Sequence, residues 1–562
     1  MKDLAKLIAR MQQPEFYPHA VNKNIELVQT HASLVFLTGE YAYKVKRNVD
    51  YGFLNYSTLA KRKHFIEEEL RLNQKIAPDL YLAVVTISEV ESELVLGSSV
   101  NIVEYALKMR QFPQANLFSN LLKTGKLPSD RFLNGASAPA FPKNLKAKGC
   151  VSLMRETPQN QKLRSLSPSV HADLCSELGK IVAQFHLSAE TSDRISSFGT
   201  VEKIQTAFIE NYQQSQKYIG TVQTQEQFLA TKAYSDNFFN RRQDLFKTRV
   251  EQDKIRECHG DLHLKNICLW QDKIQLFDRI EFNESFRFVD TMYDVAFIVM
   301  DLEARGKPEL ANTFLNSYLE YSGDWFGLLV LPLYLVRQAY VRAKVNSFLL
   351  DDPQISQAEQ AEAKQTASDY YQQAYRYTQN KSGSLTMMSG LSGSGKSTVA
   401  ASIARSKGAI QIRSDAVRKH LAEIPLDESG SDKPFGMTSL RIYTPEMTQR
   451  TYRRLLELGI MLAKEGYTII LDAKYDRLSL RQQVITQAQA NDIPLTIVHC
   501  TAPIEVLRDR LNKRQNDISD ANADLIASQK ANTEDFTTAE QAYVTTVDTS
   551  QVGWEKKLAD MI

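Results

Sequence analysis

"HGDLHLKN", residues 259–266, sets His259, Asp261 and His263 at alternate positions. On an extended strand that spacing turns all three side chains to one face, which makes a candidate metal cage. The same letters fit a loop that carries a phosphoryl-transfer carboxylate, and the flanking residues separate the two readings. Asn266 lies five residues after Asp261, followed by "ICLW", a turn at "QDK", and "IQLFD". If 267–270 pairs with 274–277 as a hairpin, Asn266 and Asp278 face each other across its open end. Two oxygen ligands then converge on one cation. Such a pair suits Mg²⁺ held together with nucleotide phosphates, whereas zinc would want more nitrogen or sulfur donors.

Outward from this stretch, the chain of 562 residues exceeds what one hydrophobic core usually serves, so two or three domains are expected. A 43% hydrophobic and 24% charged composition is that of a folded globular protein. With a net charge of +2 and a pI near 8.0, the whole molecule has no strong field to steer nucleic acid or membranes, and any anion preference must be local. Cys150, Cys175, Cys258, Cys268 and Cys500 occur singly, without a C-x-x-C pair, which argues against a disulfide framework and a zinc ribbon. The opening "MKDLAKLIARMQQPEF" mixes charges through its apolar residues, and no run approaches the ~18 apolar residues of a membrane span. A cytoplasmic location is expected.

Residues 26–47 predict three short strands with a turn at Thr38-Gly39-Glu40, and a charged helix "LAKRKHFIEEELRLNQKI" follows. "YLAVVTI", "SELVLG" and "IVEYALKM" predict further strands, giving an antiparallel sheet with one inserted helix. From about 170 to 380 the pattern is mainly helical, ending in a Gln/Ala-rich helix over 356–377, and "NKSGS" breaks it. Beyond the break, "LTMMSG", "GAIQIRSD", "YTIILDA" and "LTIVHC" alternate with helical segments, the pattern of a parallel sheet with crossover helices. A second domain is expected from about Ser384. Residues 122–165 fit neither pattern and hold nine Lys or Arg against Asp130 and Glu156, so they read as a long basic insertion.

"HGDLHLKN" followed by "FD" resembles the aminoglycoside phosphotransferase and choline kinase branch of the protein-kinase-like fold, over roughly residues 1–380. The resemblance implies that Asp261 orients and deprotonates an acceptor hydroxyl while Asn266 and Asp278 hold Mg²⁺. His259 is expected to brace the loop, with Asp294 in "MYDVAF" as a second structural member. In "AYK", Ala42 and Lys44 share a strand face, a small residue beneath adenine and a cation for the phosphates, with Lys46 on the same face as the rival. Glu67, Glu68 and Glu69 on the following helix could pair with that lysine, and Glu68, one turn before Leu72, is the choice. Met109 to Phe112 would form the hinge whose backbone receives adenine. "THAS", 30–33, stands where protein kinases carry a glycine-rich flap, a feature this branch also lacks.

"GLSGSGKST", Gly390 to Thr398, fits G-x-x-x-x-G-K-[ST] between a predicted strand and a predicted helix, the context that the motif requires. Its glycines would let backbone N–H groups wrap phosphates at a helix N-terminus. Gly390, Ser392, Gly393, Ser394, Gly395, Lys396, Ser397 and Thr398 are therefore candidate ATP-binding residues, with Lys396 reaching the β and γ oxygens and Ser397 a ligand of Mg²⁺. Asp415 closes "IQIRSD" at the carboxyl end of a strand, where ligands of open α/β sheets bind, and Arg418 follows one turn later. "RSDAVRK" is similar to the substrate segment of small P-loop kinases such as gluconate kinases, polynucleotide 5′-kinases and zeta-type toxins. That similarity implies that Asp415 activates the acceptor hydroxyl and Arg418 contacts the substrate. Asp472 in "TIILDA" suits either a Mg²⁺-water ligand or a second substrate contact. Arg508, Arg510 and Arg514 recur on a helix as in the lid of these kinases, where guanidinium groups meet phosphoryl charge, and Arg510 and Arg514 are assigned to ATP.

The expected architecture is thus an α+β protein-kinase-like domain over 1–380 (N-lobe about 1–111, helical C-lobe to 380), followed by an α/β P-loop kinase domain with a parallel sheet over 384–562. The pairing resembles bacterial bifunctional proteins of that arrangement. It implies ATP and Mg²⁺ as cofactors and a small-molecule hydroxyl acceptor at each site. Two rival readings stay open: a nucleotide-sensing regulator in which one ATP site controls the other, and an RNA 5′-end kinase that uses the basic insertion.

Overall fold

The computed structural model describes residues 4–124 and 168–562, apart from 22–23, 53, 354, 428–441, 514–517, 520 and 562. Residues 125–165 of the expected basic insertion, and Arg514, lie outside the described residues. The chain divides into two units, each described by itself. The first comprises Met1–Ser169, Ser188–Thr206 and Phe246–Asp301, and the second Val170–Leu187, Ala207–Leu245 and Leu302–Ile562.

In the first unit β1 (Glu26–Gln29), β2 (Ser33–Leu37), β3 (Tyr41–Lys46), β4 (Tyr81–Val90), β5 (Glu93–Leu96) and β6 (Ile102–Arg110) form an antiparallel sheet in the order β1-β2-β3-β6-β4-β5. The β2–β3 turn falls at the predicted residues, where Gly39 takes φ 110°. Period-2 patterning gives the sheet two apolar faces. One packs Leu34, Phe36, Tyr43 and Val45 against Leu7, Met11, Phe16 and Tyr17. The other packs Leu107 against Ile66 of the helix Leu59–Gln74, with Ala77, Leu80 and Tyr81. Thr58 caps that helix, its side chain accepting from the Lys61 N–H.

The catalytic-loop region follows in the same unit. β7 (Ile255–Glu257) pairs with β10 (Phe288–Asp290), and β8 (Ile267–Trp270) pairs with β9 (Lys273–Leu276) as the predicted hairpin. Its two-residue turn, Gln271-Asp272, has φ of 50° and 58°, the left-handed pair that matches strand twist.

The second unit holds the helices Gln225–Arg241, Pro308–Ser322, Leu331–Phe348 and Gln357–Tyr377, and then β11 (Ser384–Ser389), β12 (Ile410–Arg413), β13 (Thr468–Asp472), β14 (Leu495–Thr501) and β15 (Val544–Asp548). All five strands are parallel in the order β12-β13-β11-β14-β15. β15, with Thr545 and Thr546 amid few apolar residues, escaped the sequence reading. The helix Gln357–Tyr377 opens on a capping box between Ser356 and Glu359.

An edge strand leaves backbone groups unpaired unless something covers them. Here β12 is covered by the helix Pro308–Ser322. Asn312 and Asn316 donate from Nδ2 to the Ala409 carbonyl at 2.9 and 3.0 Å, and the Gln411 N–H donates to Asn316 Oδ1 at 2.7 Å.

Candidate active sites

The loop that opens the sequence reading is held from beneath by one carboxylate. Asp294 accepts the N–H groups of His259 and Gly260 at 2.7 and 2.9 Å, which makes it the second structural member expected. Gly260 has φ +87°, and a Cβ there would lie 2.4 Å from the Phe286 carbonyl. His259 is buried, and its Nε2 sits 2.9 Å from the Phe277 carbonyl. Burial pushes its imidazole pKa down, so it is neutral. His259 is therefore committed to the backbone and unavailable to a metal cage.

Asn266 donates from Nδ2 to the Asp261 carbonyl at 2.9 Å and to its Oδ2 at 3.3 Å, while the Asp261 side chain stays 39% exposed and can meet an acceptor. Phe277 N–H donates to the Asn266 carbonyl, so Asn266 and Asp278 flank the end of the β8–β9 ladder. Asp278 takes φ 64°, and its N–H donates to Tyr81 Oη at 2.9 Å.

Lys44 donates to Asp278 Oδ1 at 2.7 Å and to Glu69 Oε1 at 2.8 Å. Burial drives its ammonium down, but Asp278, Glu69 and Glu281 together hold it well above the usual lysine range. At Asp278 burial acts upward, and the charges of Lys44 and Lys46 outweigh it, leaving the carboxyl below its usual range. Glu69 corrects the expected partner Glu68. Glu68 pairs instead with Arg71 at 2.6 Å and Arg287 at 3.2 Å. The reason is helix phase: Glu69 lies three residues from both Ile66 and Leu72 and shares their buried face, and the preceding residue is turned about 100° away. Lys46, the rival lysine, takes the other Glu69 oxygen at 2.7 Å.

Along the inner wall, Ala42 lies opposite Met109 across β3 and β6. Met109 and Phe112 pack with Tyr81, Leu107 and Phe277, and the Phe112 and Phe277 rings meet edge-on at 5.3 Å. Gln111 ties the expected hinge to the β2–β3 turn, its Oε1 accepting the Gly39 N–H at 2.8 Å. Asn266 and Asp278 carry oxygen atoms of the hard-donor kind that Mg²⁺ would take.

The second site is built where β11 runs into the helix Lys396–Lys407. Gly390, Gly393 and Gly395 have φ of 134°, 81° and 85°, conformations that only glycine adopts readily. A Cβ on Gly390 would stand 2.3 Å from the Cys500 carbonyl. Lys396 is folded back, donating to the Leu391 carbonyl at 2.8 Å. Burial lowers its pKa, partly opposed by Asp472 and Asp415. Ser397 and Thr398 open the helix.

Asp472 ends β13 and accepts from Gln411 Nε2 at 2.8 Å. Asp415 lies in the first turn of the helix Ser414–Leu421, two residues beyond the end of β12 rather than at the strand end where the sequence places it. Burial raises its carboxyl pKa, opposed by Arg413, by a hydrogen bond from Ser519 and by Arg418. Arg418, expected to contact substrate, is 6% exposed and donates to the Ile442 carbonyl at 2.8 Å and to Thr448 Oγ1 at 3.2 Å. Both bonds use one terminal nitrogen, and its buried Nε has no hydrogen-bond partner among the described residues.

Arg510 braces the loop from the side: it donates to the Gly393 carbonyl at 3.2 Å and to Thr549 Oγ1 at 2.8 Å, and Thr549 donates to the Ser394 carbonyl at 2.8 Å. Gln529 accepts the Ser392 N–H and donates to Ser392 Oγ, both at 3.0 Å. Thr549 and Gln529 carry no motif, and no sequence signal points to either.

Residues 385–536 match the family described as AAA domain. An uncharacterised protein of Mycobacterium tuberculosis is 25% identical over 514 residues, covering 92% of this chain and 91% of that protein. A second from Mycobacterium bovis matches to the same extent, at 25% identity. Among solved structures, a sugar kinase from Janibacter sp. is 22% identical over 32% of this chain and 91% of its own, with a TM-score of 0.24. Aminoglycoside 2′-phosphotransferase-IIIa is 10% identical over 66% of this chain and 99% of its own, with a TM-score of 0.36. By strand order and site geometry the chain carries an α+β fold followed by an α/β P-loop fold with a parallel sheet.

Proposed function

We propose that the chain is an ATP-dependent phosphotransferase with two modules, 1–380 and 384–562, each moving the γ-phosphoryl group of ATP to a hydroxyl of a small-molecule acceptor. One observation supports the reading: Lys44 meets Asp278 while Asn266 meets Asp261, and at the second site Lys396 feels the charges of both Asp472 and Asp415. In this reading the lysines take phosphate, Asn266 with Asp278 and Ser397 with Asp472 would hold Mg²⁺, and Asp261 and Asp415 face the acceptors. Phosphoryl transfer demands positioning and charge stabilisation more than covalent chemistry, and these groups supply both.

At the first site, adenine lies against Ala42, Met109 and Phe112, Lys44 leaves Asp278 for the phosphates, and Asp261 takes the acceptor proton. At the second, N–H groups of Gly390–Thr398 wrap the phosphates, Lys396 swings from the Leu391 carbonyl to the β and γ oxygens, and Asp415 receives the proton. Burial makes Asp415 a stronger base than an exposed carboxylate. Bound Mg²⁺ would neutralise charge on the transferred group at either site. Arg510 supports the loop, and Arg418 lies near Asp415, whose carboxyl pKa it helps hold down. No helix among the described residues is long and apolar enough to cross a membrane.

The deciding experiment profiles phosphorylation of a metabolite mixture by the parent chain and by Lys44→Ala and Lys396→Ala separately. Two product sets, each lost in one variant, are expected. A single set lost in both variants would favour the nucleotide-sensing regulator, and phosphorylation of RNA 5′ ends alone would favour the nucleic-acid kinase.

A further inference from the structure

The first site contains a second lysine that the transfer chemistry leaves unused. Lys46 is 1% exposed. Its ammonium donates to Glu69 Oε2 at 2.7 Å, to Tyr56 Oη at 3.3 Å and to Glu281, and it lies 4.7 Å from the centre of the Tyr56 ring. Tyr56 Oη also donates to Glu281. Glu69 has no exposed surface and divides its oxygens, one to Lys44 and one to Lys46. The cluster therefore sets two ammonium groups against three carboxylates, Glu69, Asp278 and Glu281, a formal net charge of −1.

Burying an ammonium is costly unless it is paired, so a second one at this depth calls for a reason. Lys44 has two tasks in conflict: it must be held in the empty site, and it must turn to phosphate when nucleotide arrives. Without Lys46, Glu69 would offer Lys44 both oxygens and the cluster would carry −2, which grips Lys44 and repels an incoming anion. With Lys46 in place, Glu69 and the helix Leu59–Gln74 stay fixed while Lys44 changes partner. Glu281 works the other way, since its charge offsets Lys46 and moderates the pull on phosphate.

We propose that the buried Lys46 and Glu281 are positioning residues that set the charge around Lys44, and so how readily Lys44 exchanges the part-exposed Asp278 for a nucleotide phosphate. The inference rests on the reading of this site as an ATP site. It makes a signed prediction that a purely structural role does not: removing the buried cation and removing the buried anion shift nucleotide affinity in opposite directions.

The test uses the full chain carrying Lys396→Ala, so that the P-loop is silent, and measures Mg²⁺-free binding of a fluorescent ATP analogue. Lys46→Met is expected to weaken binding roughly tenfold, and Glu281→Gln to tighten it severalfold, by loss of one buried charge in a low-dielectric site. Lys46→Arg should restore affinity to near that of the parent. Weaker binding in both Lys46→Met and Glu281→Gln, or no change in Lys46→Met, overturns the proposal. If Lys46→Met does not fold, Glu281→Gln decides alone, tightening in support and weakening against. An unsubstituted first site that binds no analogue refutes the ATP reading itself, an outcome distinct from either.

Discussion

Glu69→Gln and its neighbour Glu68→Gln should differ sharply in stability, although both sit on the same exposed-looking acidic run. Glu69 is fully buried and receives Lys44 at 2.8 Å and Lys46 at 2.7 Å. Removing one member of a buried ion pair costs about 3–5 kcal/mol because the partner is left uncompensated. Here each lysine keeps another carboxylate, Asp278 for Lys44 and Glu281 for Lys46, so the lower end, about 3 kcal/mol, applies. Glu68 is 19% exposed and its partner Arg71 43%, a solvated pair. Arg287, its second partner, keeps Glu257 at 3.3 Å. Loss of Glu68 should cost about 1 kcal/mol. At about 2–4 °C per kcal/mol for a unit of this size, the melting temperature should fall about 6–12 °C for Glu69→Gln and about 2–4 °C for Glu68→Gln. Calorimetry of the full chain measures the difference, and hydrogen exchange should localise the larger loss to the helix Leu59–Gln74. An equal or larger loss from Glu68→Gln would refute the helix phase and, with it, the assignment of Glu69.

Gly395→Ala should abolish nucleotide binding at the P-loop, because the residue has φ +85° and the new Cβ would press on Thr549 Oγ1 at 3.1 Å, displacing the hydroxyl that holds Ser394; retained binding by titration would contradict the role of Thr549. Burial raises the Asp415 pKa above that of the unfolded chain, so its protonation favours the folded state. That contribution is present below the usual aspartate pKa of about 3.9 and is lost as pH rises through the folded value. Asp415→Asn should therefore gain thermal stability relative to the parent at pH 7 and lose that advantage near pH 4, and a pH-independent difference in melting would contradict the burial argument. Asn316→Ala leaves the Gln411 N–H of β12 without its 2.7 Å acceptor and should cost about 1–3 kcal/mol. Because Gln411 also holds Asp472 at 2.8 Å, nucleotide binding at the P-loop should weaken with it, and unaltered binding and melting would show that the helix Pro308–Ser322 is no part of that site.

Contiguous motifs were legible because their geometry is local. Three glycines, a lysine and a hydroxyl between a strand and a helix suffice to build a phosphate loop, and the observed φ angles at Gly390, Gly393 and Gly395 are those its backbone demands. "HGDLHLKN" and "IQLFD" likewise contain their own hairpin, so Asn266 and Asp278 could be placed from spacing alone. The alternation of Ala42, Lys44 and Lys46 along β3 was equally plain, since a strand's period of two is a property of the strand itself.

Tertiary structure decided the remainder. One residue of helix rotation separates Glu68 from Glu69, and only the packing of Ile66 and Leu72 selects between them. Both lysines of β3 face the same carboxylate, so the difference between them lies in Asp278 and Glu281, more than 230 residues away in the chain. Arg418 and Arg510 read as ligand-facing guanidinium groups, and only the tertiary structure shows the protein carbonyls, of Ile442 and Gly393, that each also meets. Gln529, Thr549 and the asparagines that seal β12 have no motif, since their role is to satisfy backbone groups whose positions exist only once distant segments have packed together.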